Sequence, residues 1–255
     1  MNFSIEAICD IGVVRQNNED MILIGDQVIR DDSAEYAIDA GERNFMIAVS
    51  DGMGGHQAGE VASETVLQRM KLAVSGLGNA LNPEQLKTYF EVKIKETHQE
   101  LNAMGEANPA YYKLGATFTS LFIYNKKAFI INIGDSRLYR LRGGLLAQLT
   151  NDHSLSDWLN NSDIPRNILA NAFGGGVQQI YFDFEETNLL DGDTLLLCSD
   201  GLSGELTFDE IETMLASTDP LSVMVNRARA NGGRDNISAI KIGIKMSGSG
   251  NPSSV

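Results

Sequence analysis

The sequence predicts an α+β fold, a sandwich of two antiparallel β-sheets flanked by two pairs of α-helices in four αββα layers. Strand-like runs occur in groups and do not alternate with helices. Helical periodicity appears in two separated pairs of segments, and the central strand candidates are joined by connections too short for crossover helices. We expect one domain over residues 1–246 and a flexible Ser/Gly tail over 247–255.

The first half of the chain supplies strands and then a helix pair. Three strand candidates come first: FSIEAIC (3–9), MILI (21–24) and FMIAVS (45–50). The acidic stretch with Asp31, Asp32, Glu35 and Asp39 is expected to form a loop. Two helices with apolar faces follow, one with Ala62, Val66, Met70 and Ala73, and one that Pro83 opens, with Leu86, Phe90, Ile94, Leu101 and Met104.

The second half begins with three strand-like runs between residues 116 and 141, ATFTSLFIY, AFIINI and SRLYRL, which we expect to pair as an antiparallel meander. A short helical stretch is predicted near 155–159. Two strands, IYFDFEE and TLLLCS, then precede helices near 208–215 and 221–230. The run NISAIKIGI closes the chain as a last strand.

Composition excludes several classes of protein. The 255 residues include 34 acidic and 20 basic side chains, a formal charge of −14 without a Lys/Arg cluster, which argues against nucleic acid as a partner. No apolar run is long enough to span a membrane, and the first residues do not resemble a signal peptide. We therefore expect a cytoplasmic protein without a membrane partner. Cys9 and Cys198 are expected to be reduced core residues.

The most informative pattern is a set of acidic residues at predicted strand ends. Its members are Glu19, Asp20, Asp51, Asp135, Asp200 and Asp235. Three of them adjoin a glycine, which lets the backbone approach a ligand closely, although Asp-Gly is also an ordinary turn signal.

If Glu19, Asp51, Asp200 and Asp235 converge, four negative charges meet with few local partners. Two divalent cations would compensate them, and an all-oxygen ligand set favours Mg²⁺ or Mn²⁺ over zinc. Arg15, four residues before Glu19, has the planar guanidinium that suits phosphate oxygens. Alone it is more typical of a surface or ion-paired residue; beside a two-metal centre it indicates a phosphoryl site.

These residues lie in blocks whose order resembles the metal-dependent serine/threonine protein phosphatases of the type-2C or PPM family, in the bacterial style. The blocks are DIGVVRQNNED, VSDGMGGHQAGE, LGATFTS, NIGDSRLYRL, LTNDHSL, NILANAFG, LLLCSDGL and GGRDNISAI. They span Asp10 to Ile240, roughly nine tenths of the chain, and are more specific than a single short motif.

The resemblance implies a role for each candidate. Asp51 would bridge two metals, with Glu19 and the Gly52 carbonyl on one ion and Asp200 and Asp235 on the other. Asp20 would support these ligands or replace one, and Asp135 would bind a possible third ion. Arg15 would bind phosphate. A hydroxide bridging two Mn²⁺ or Mg²⁺ ions would attack the phosphorus directly, because such ions lower the pKa of water.

Histidine positions depart from part of the family. Animal members carry histidine directly after the metal-site glycine, where this chain has Met53, and the nearest histidine here is His56. His56 is a candidate general acid or water-positioning catalytic residue, with a packing role as the alternative. We expect His153 to order its loop through Asp152, and His98 to be exposed.

The leading hypothesis is a phosphoprotein phosphatase, a monomer that opposes a Ser/Thr kinase. One alternative is a catalytically weak relative that binds phosphoproteins as a regulatory module. Retention of Arg15 and the full carboxylate set argues against it. The other alternative is a phosphatase dedicated to one regulatory protein.

Overall fold

The computed structural model describes residues 1–41, 43–54, 58–159, 161, 163–164 and 168–246. Its strands are β1 (Asn2–Asp10), β2 (Met21–Ile24), β3 (Gln27–Ile29), β4 (Asp32–Asp39), β5 (Phe45–Ser50), β6 (Gly52–Met53), β7 (Gly115–Ala116), β8 (Phe118–Tyr124), β9 (Lys127–Ile133), β10 (Arg137–Arg142), β11 (Leu145–Gln148), β12 (Phe173–Gly174), β13 (Asp183–Thr187), β14 (Thr194–Cys198) and β15 (Ile237–Lys245). Its helices are α1 (Ala58–Ser75), α2 (Pro83–Ala107), α3 (Leu155–Trp158), α4 (Asp200–Ser203), α5 (Phe208–Ala216) and α6 (Leu221–Asn231), with a 3₁₀ turn at Pro109–Tyr111.

Two six-stranded antiparallel sheets form the sandwich. The first sheet has the order β11-β10-β14-β15-β1-β4, and the second has the order β13-β9-β8-β5-β2-β3. A small third sheet has the strand order β12-β7-β6. The predicted α+β class and the antiparallel sandwich are confirmed.

Three apolar clusters hold the layers together. Ile5, Ile47 and Leu197 belong to the cluster between the two sheets. A second cluster joins α1 and α2 to the second sheet, and a third joins α5 and α6 to the first sheet. Each fully buried large side chain contributes about 1.5–3 kcal/mol relative to an exposed one, so these clusters dominate the stability of the four layers.

The helix pair over the second sheet follows the predicted periodicity. Val66 on α1 and Phe90 on α2 are fully buried. The start of α2 is fixed by a capping box, in which the Asn82 side chain accepts from the Gln85 N–H and the Gln85 side chain accepts from the Asn82 N–H. Proline at the first helical position needs no N–H partner, which explains the boundary at Pro83.

The predicted acidic loop over residues 31–39 is wrong, because Asp32–Asp39 forms the edge strand β4 paired antiparallel with β1. Ala34, Tyr36 and Ile38 are half-buried and pack on the core between the sheets, while Asp32, Glu35 and Asp39 are exposed. An edge strand needs only one apolar face, and exposed charges on the other face oppose pairing with another chain.

The predicted three-strand meander is wrong at its last step. β8 pairs with β9 in the second sheet, but β10 pairs with β11 and β14 in the first sheet. The chain crosses between sheets at Gly134–Ser136, where Gly134 has a φ of +107° and a Cβ would lie 2.6 Å from Thr117 Cγ2. Glycine is therefore required there, and the crossing places Asp135 between the two sheets.

Other expectations concern the cysteines, membrane helices and the tail. Cys9 and Cys198 are buried and free, as predicted. In the described part of the chain, no helix is long and apolar enough to cross a bilayer. The predicted tail, residues 247–255, lies outside the described residues.

Candidate metal centre

Five of the six acidic residues at the strand ends meet at one cavity of about 520 Å³. Its lining includes Arg15, Glu19, Asp51, Gly52, Asp135, Asp200 and Asp235. Glu19 precedes β2, Asp51 joins β5 to β6, Asp200 begins α4 after β14, and Asp235 precedes β15. Antiparallel neighbours bring a strand start and a strand end to the same edge, so distant segments of the chain converge here.

Two glycines allow the Glu19 segment to pack against α1. The Gly52 N–H donates to the Glu19 carbonyl oxygen at 3.1 Å. A Cβ on Gly52 would collide with the Gly59 carbonyl oxygen, and a Cβ on Gly59 would lie 2.6 Å from the Glu19 side-chain carboxyl carbon. Glu19 therefore fits into the cavity only because both positions are glycine.

Arg15 lies in the cavity against one of the carboxylates. Its guanidinium donates to the Asp235 carboxylate at 2.6 Å, and both side chains are partly exposed. The sequence interpretation placed Arg15 beside the acidic centre, and the structure brings it there.

Asn236 is a residue that the sequence analysis missed. Its buried side chain donates from Nδ2 to the carbonyl oxygens of Ile11 and Asn17, and its Oδ1 accepts from the Glu19 N–H, each at 2.9 Å. These bonds fix the segment that carries Arg15 and Glu19. One sequence signal was available: Asn236 stands between Asp235 and an apolar strand. A polar side chain buried at such a position needs hydrogen-bond partners.

Burial and mutual repulsion oppose ionisation of the cavity carboxylates. Burial raises the pKa of Glu19 to about 7 and, together with the Asp200 charge, raises the pKa of Asp135 to about 7. Burial and the charges of Asp20 and Asp200 hold the pKa of Asp51 well above its usual range. Burial and the Asp235 charge raise the pKa of Asp200. The cavity therefore favours a cation that compensates these groups.

Asp20 lies behind the cavity lining. It is 1 % exposed, and its Oδ2 accepts from the Ser199 hydroxyl at 2.7 Å. Burial raises the pKa of Asp20 to about 8. Ser199 immediately precedes Asp200, so Asp20 contacts the chain beside a predicted ligand and does not itself line the cavity.

The donor set fits a hard divalent cation. The side chains that line the acidic part of the cavity offer oxygen, and Oδ1 of Asp200 and Oδ1 of Asp20 are buried atoms without a hydrogen-bond partner. Among the described residues, no three His, Cys, Asp or Glu side chains have conformations that could together hold a metal ion. Asp235 is paired with Arg15, so a cation that took Asp235 as a ligand would have to compete with that ion pair.

Comparison with known proteins decides the family. The model of the protein phosphatase 2C family matches residues 23–240, most of the chain, a range that includes Asp51, Asp135, Asp200 and Asp235. The chain belongs to the protein phosphatase 2C family.

Its relatives are bacterial serine/threonine phosphatases. The chain is 35% identical over 213 residues to the serine/threonine phosphatase stp of Listeria monocytogenes, covering 77% of this chain and 83% of the relative. It is 33% identical over 253 residues to the protein phosphatase PhpP of Streptococcus pneumoniae, covering 91% and 94%. The fold is similar to the catalytic domain of the phosphatase PstP in complex with two manganese ions, with a TM-score of 0.74 and 26% identity over 96% of this chain and all of that one.

The expectations for the three histidines have different outcomes in this phosphatase 2C chain. His56 lies outside the described residues. His153 is buried and structural, as expected. Its Nδ1 accepts from the Gly134 N–H at 3.2 Å, and its Nε2 is hydrogen-bonded to the Asp183 carboxylate at 3.1 Å. The predicted link through Asp152 is wrong, because Asp152 pairs with Arg137. The predicted exposure of His98 is also wrong, because His98 is only 4 % exposed.

Proposed function

We propose that this chain hydrolyses phosphoserine and phosphothreonine esters of proteins by direct attack of water, with two Mn²⁺ or Mg²⁺ ions held by its cavity carboxylates. The observation that carries the proposal is the convergence of acidic residues from separate chain segments, with one arginine, on a single cavity. The family membership supports the reaction class, and the two manganese ions of the PstP complex support the metal.

The proposed ligand set follows the sequence prediction. Asp51 would contact both ions, Glu19 and the Gly52 carbonyl one of them, and Asp200 and Asp235 the other; Asp135 would serve a third ion. Asp20 would support the Asp200 segment through Ser199. When bound, the ions would lower the pKa of a water molecule and neutralise charge on the phosphoryl oxygens.

Arg15 would bind and orient the phosphate. In the structure its guanidinium donates to one oxygen of the Asp235 carboxylate, and a phosphoryl group offers oxygen acceptors to the same donor. When Asp235 turns to a cation, the guanidinium becomes available to the substrate and keeps its charge at any working pH. The leaving seryl or threonyl oxygen must gain a proton, and His56 stays the predicted donor.

Several finer statements stay predictions from the sequence: substrates phosphorylated by a Ser/Thr kinase, a monomeric state and a cytoplasmic location. The choice between Mn²⁺ and Mg²⁺ and the occupancy of a third ion belong with them. Each concerns partners or conditions outside the single folded chain.

The experiment is hydrolysis of phosphoserine and phosphothreonine peptides with Mn²⁺, with Mg²⁺ and with excess chelator. We expect turnover with either metal, none with chelator, and at least about a 100-fold loss in Asp200→Asn. The exposed variant Asp209→Asn on α5 serves as a matched control and should keep full activity. Metal-independent turnover would overturn the proposal, and tight peptide binding without turnover would favour a binding module.

A further inference from the structure

A run of three glycines and a valine, Gly174–Val177, forms part of the cavity wall that carries no carboxylate. Gly175 and Val177 line the cavity. Gly174, Gly175 and Gly176 all have left-handed backbone, with φ of +63°, +64° and +75°. Glycine loses more conformational freedom on folding than any other residue, so such a run needs external bonds to hold one shape.

Two side chains of α2 supply those bonds. His98 Nδ1 accepts from the Gly174 N–H at 3.0 Å, and its Nε2 donates to the Val177 carbonyl at 3.0 Å. Asn102, one helical turn later, donates from Nδ2 to the same carbonyl at 3.2 Å and accepts from the Gly176 N–H at 3.3 Å. Residues four apart share a helix face, which lets both side chains reach one segment.

Contacts on the other side of the segment lead towards the metal centre. The Gly175 N–H donates to the Leu114 carbonyl at 2.7 Å. A Cβ on Gly175 would lie 2.8 Å from Met53 Cε, and Met53 directly follows Gly52. The segment therefore fills the space between α2 and the Gly52–Met53 strand, while His98 and Asn102 do not line the cavity themselves.

We propose that His98 and Asn102 are positioning residues that fix the Gly174–Val177 wall, against which the substrate polypeptide lies. They set the KM for phosphorylated peptides and take no part in the chemical step. Rearrangement of this wall changes how a peptide fits, whereas the carboxylates and Arg15 belong to other segments. This inference rests on the proposed function.

The kinetic test uses Asn102→Ala, since Asn102 is half-buried and its loss should leave the fold intact. We expect KM for a phosphothreonine peptide to rise about 3- to 10-fold, because the wall loses two hydrogen bonds that support it. We expect kcat to stay within about 2-fold of the wild-type value. Gln99→Ala, on an exposed position of the same helix, should change neither. An unchanged KM, or a fall in kcat at constant KM, would overturn the inference.

Substitutions of His98 separate positioning from bulk packing. His98→Asn keeps an acceptor for the Gly174 N–H, and His98→Leu keeps none. We expect KM to rise less in His98→Asn than in His98→Leu. Equal effects of the two variants would contradict a role through this hydrogen bond.

A readout without turnover keeps the inference separate from the proposed function. Amide hydrogen exchange of Gly174–Val177 should be faster in Asn102→Ala and His98→Leu than in the wild type or Gln99→Ala. Unchanged exchange would overturn the positioning role whatever the activity. If the wild type lacked turnover, the proposed function would fail, and titration with the phosphothreonine peptide would replace KM, with weaker binding expected in Asn102→Ala.

Discussion

At the scale of single residues, Asn236 links the two ends of the chain at the cavity. It contacts the backbone at Ile11, Asn17 and Glu19, more than 210 residues away in sequence. Its donor and acceptor atoms are all used, so no smaller or apolar side chain can replace it without leaving backbone groups unpaired.

We predict that Asn236→Ala lowers the free energy of unfolding by about 1–3 kcal/mol, because buried backbone groups lose their partner. It should also weaken metal binding, since Glu19 loses its anchor. Asn226→Ala, an exposed asparagine on α6, is the matched control and should stay within about 0.5 kcal/mol of the wild type. Denaturant unfolding measures both, and equal stabilities would contradict the anchoring role.

Strand ends and glycines singled out the acidic residues, and the family resemblance implied that they meet with Arg15; the structure brings all of them except Asp20 to the cavity lining. The sequence could not predict Asn236 or the burial of His98. Their partners are backbone groups of distant segments. No local pattern records such bonds, and an isolated histidine on a helix has the same sequence appearance whether or not a loop covers it.

At the scale of elements, the start of α1 determines whether Glu19 can enter the cavity. Gly59 lies in the first turn of this helix, and the Glu19 side chain occupies the space beside it. Alanine usually stabilises a helix relative to glycine, by roughly 0.5–1 kcal/mol.

We predict the opposite outcome for Gly59→Ala, because its Cβ would lie 2.6 Å from the Glu19 carboxyl carbon. Metal affinity should fall by at least about 10-fold, with no gain in stability. Gly76→Ala is the control, since its Cβ meets the nearest atom at 3.6 Å. Calorimetric metal titration measures the difference, and wild-type affinity in Gly59→Ala would refute the packing argument.

The elements themselves were predictable where one physical pattern dominated. Amphipathic helices and buried strands such as β2 and β5 agree with their apolar runs. β4 was mistaken for a loop because its exposed face is acidic, and β10 was placed in the wrong sheet because adjacent strands usually pair. β4 is held by its pairing with β1, and β10 by its pairing with β14, and both pairings depend on the whole sandwich.

At the scale of the whole molecule, the domain carries a formal charge of −14 and gathers part of its acidic residues inside one cavity. Raised pKa values of Glu19, Asp20 and Asp135, at about 7 to 8, mean that the folded metal-free protein binds more protons than the unfolded chain. The free energy of unfolding that this extra proton binding contributes is fully present below the pKa values of the unfolded chain. It is lost as the pH rises through the pKa values of the folded protein.

We therefore predict that, with chelator, the thermal midpoint falls by several degrees between pH 6.5 and 8.5. Burial lowers the pKa of His98, so its titration raises stability with pH up to the lower edge of this window and opposes the predicted fall. Saturating Mn²⁺ should remove the fall, and Asp200→Asn should reduce it because one repelling charge is gone. Scanning fluorimetry across this range provides the test; a midpoint that rises with pH in chelator would contradict the electrostatic account.

The most direct test of the central claim is anomalous scattering from a crystal of this chain grown with Mn²⁺. We expect two manganese peaks in the cavity, between Asp51 and the carboxylates of Glu19, Asp200 and Asp235, with Asp235 released from Arg15. A cavity without manganese, in which Asp235 still holds Arg15, would contradict it.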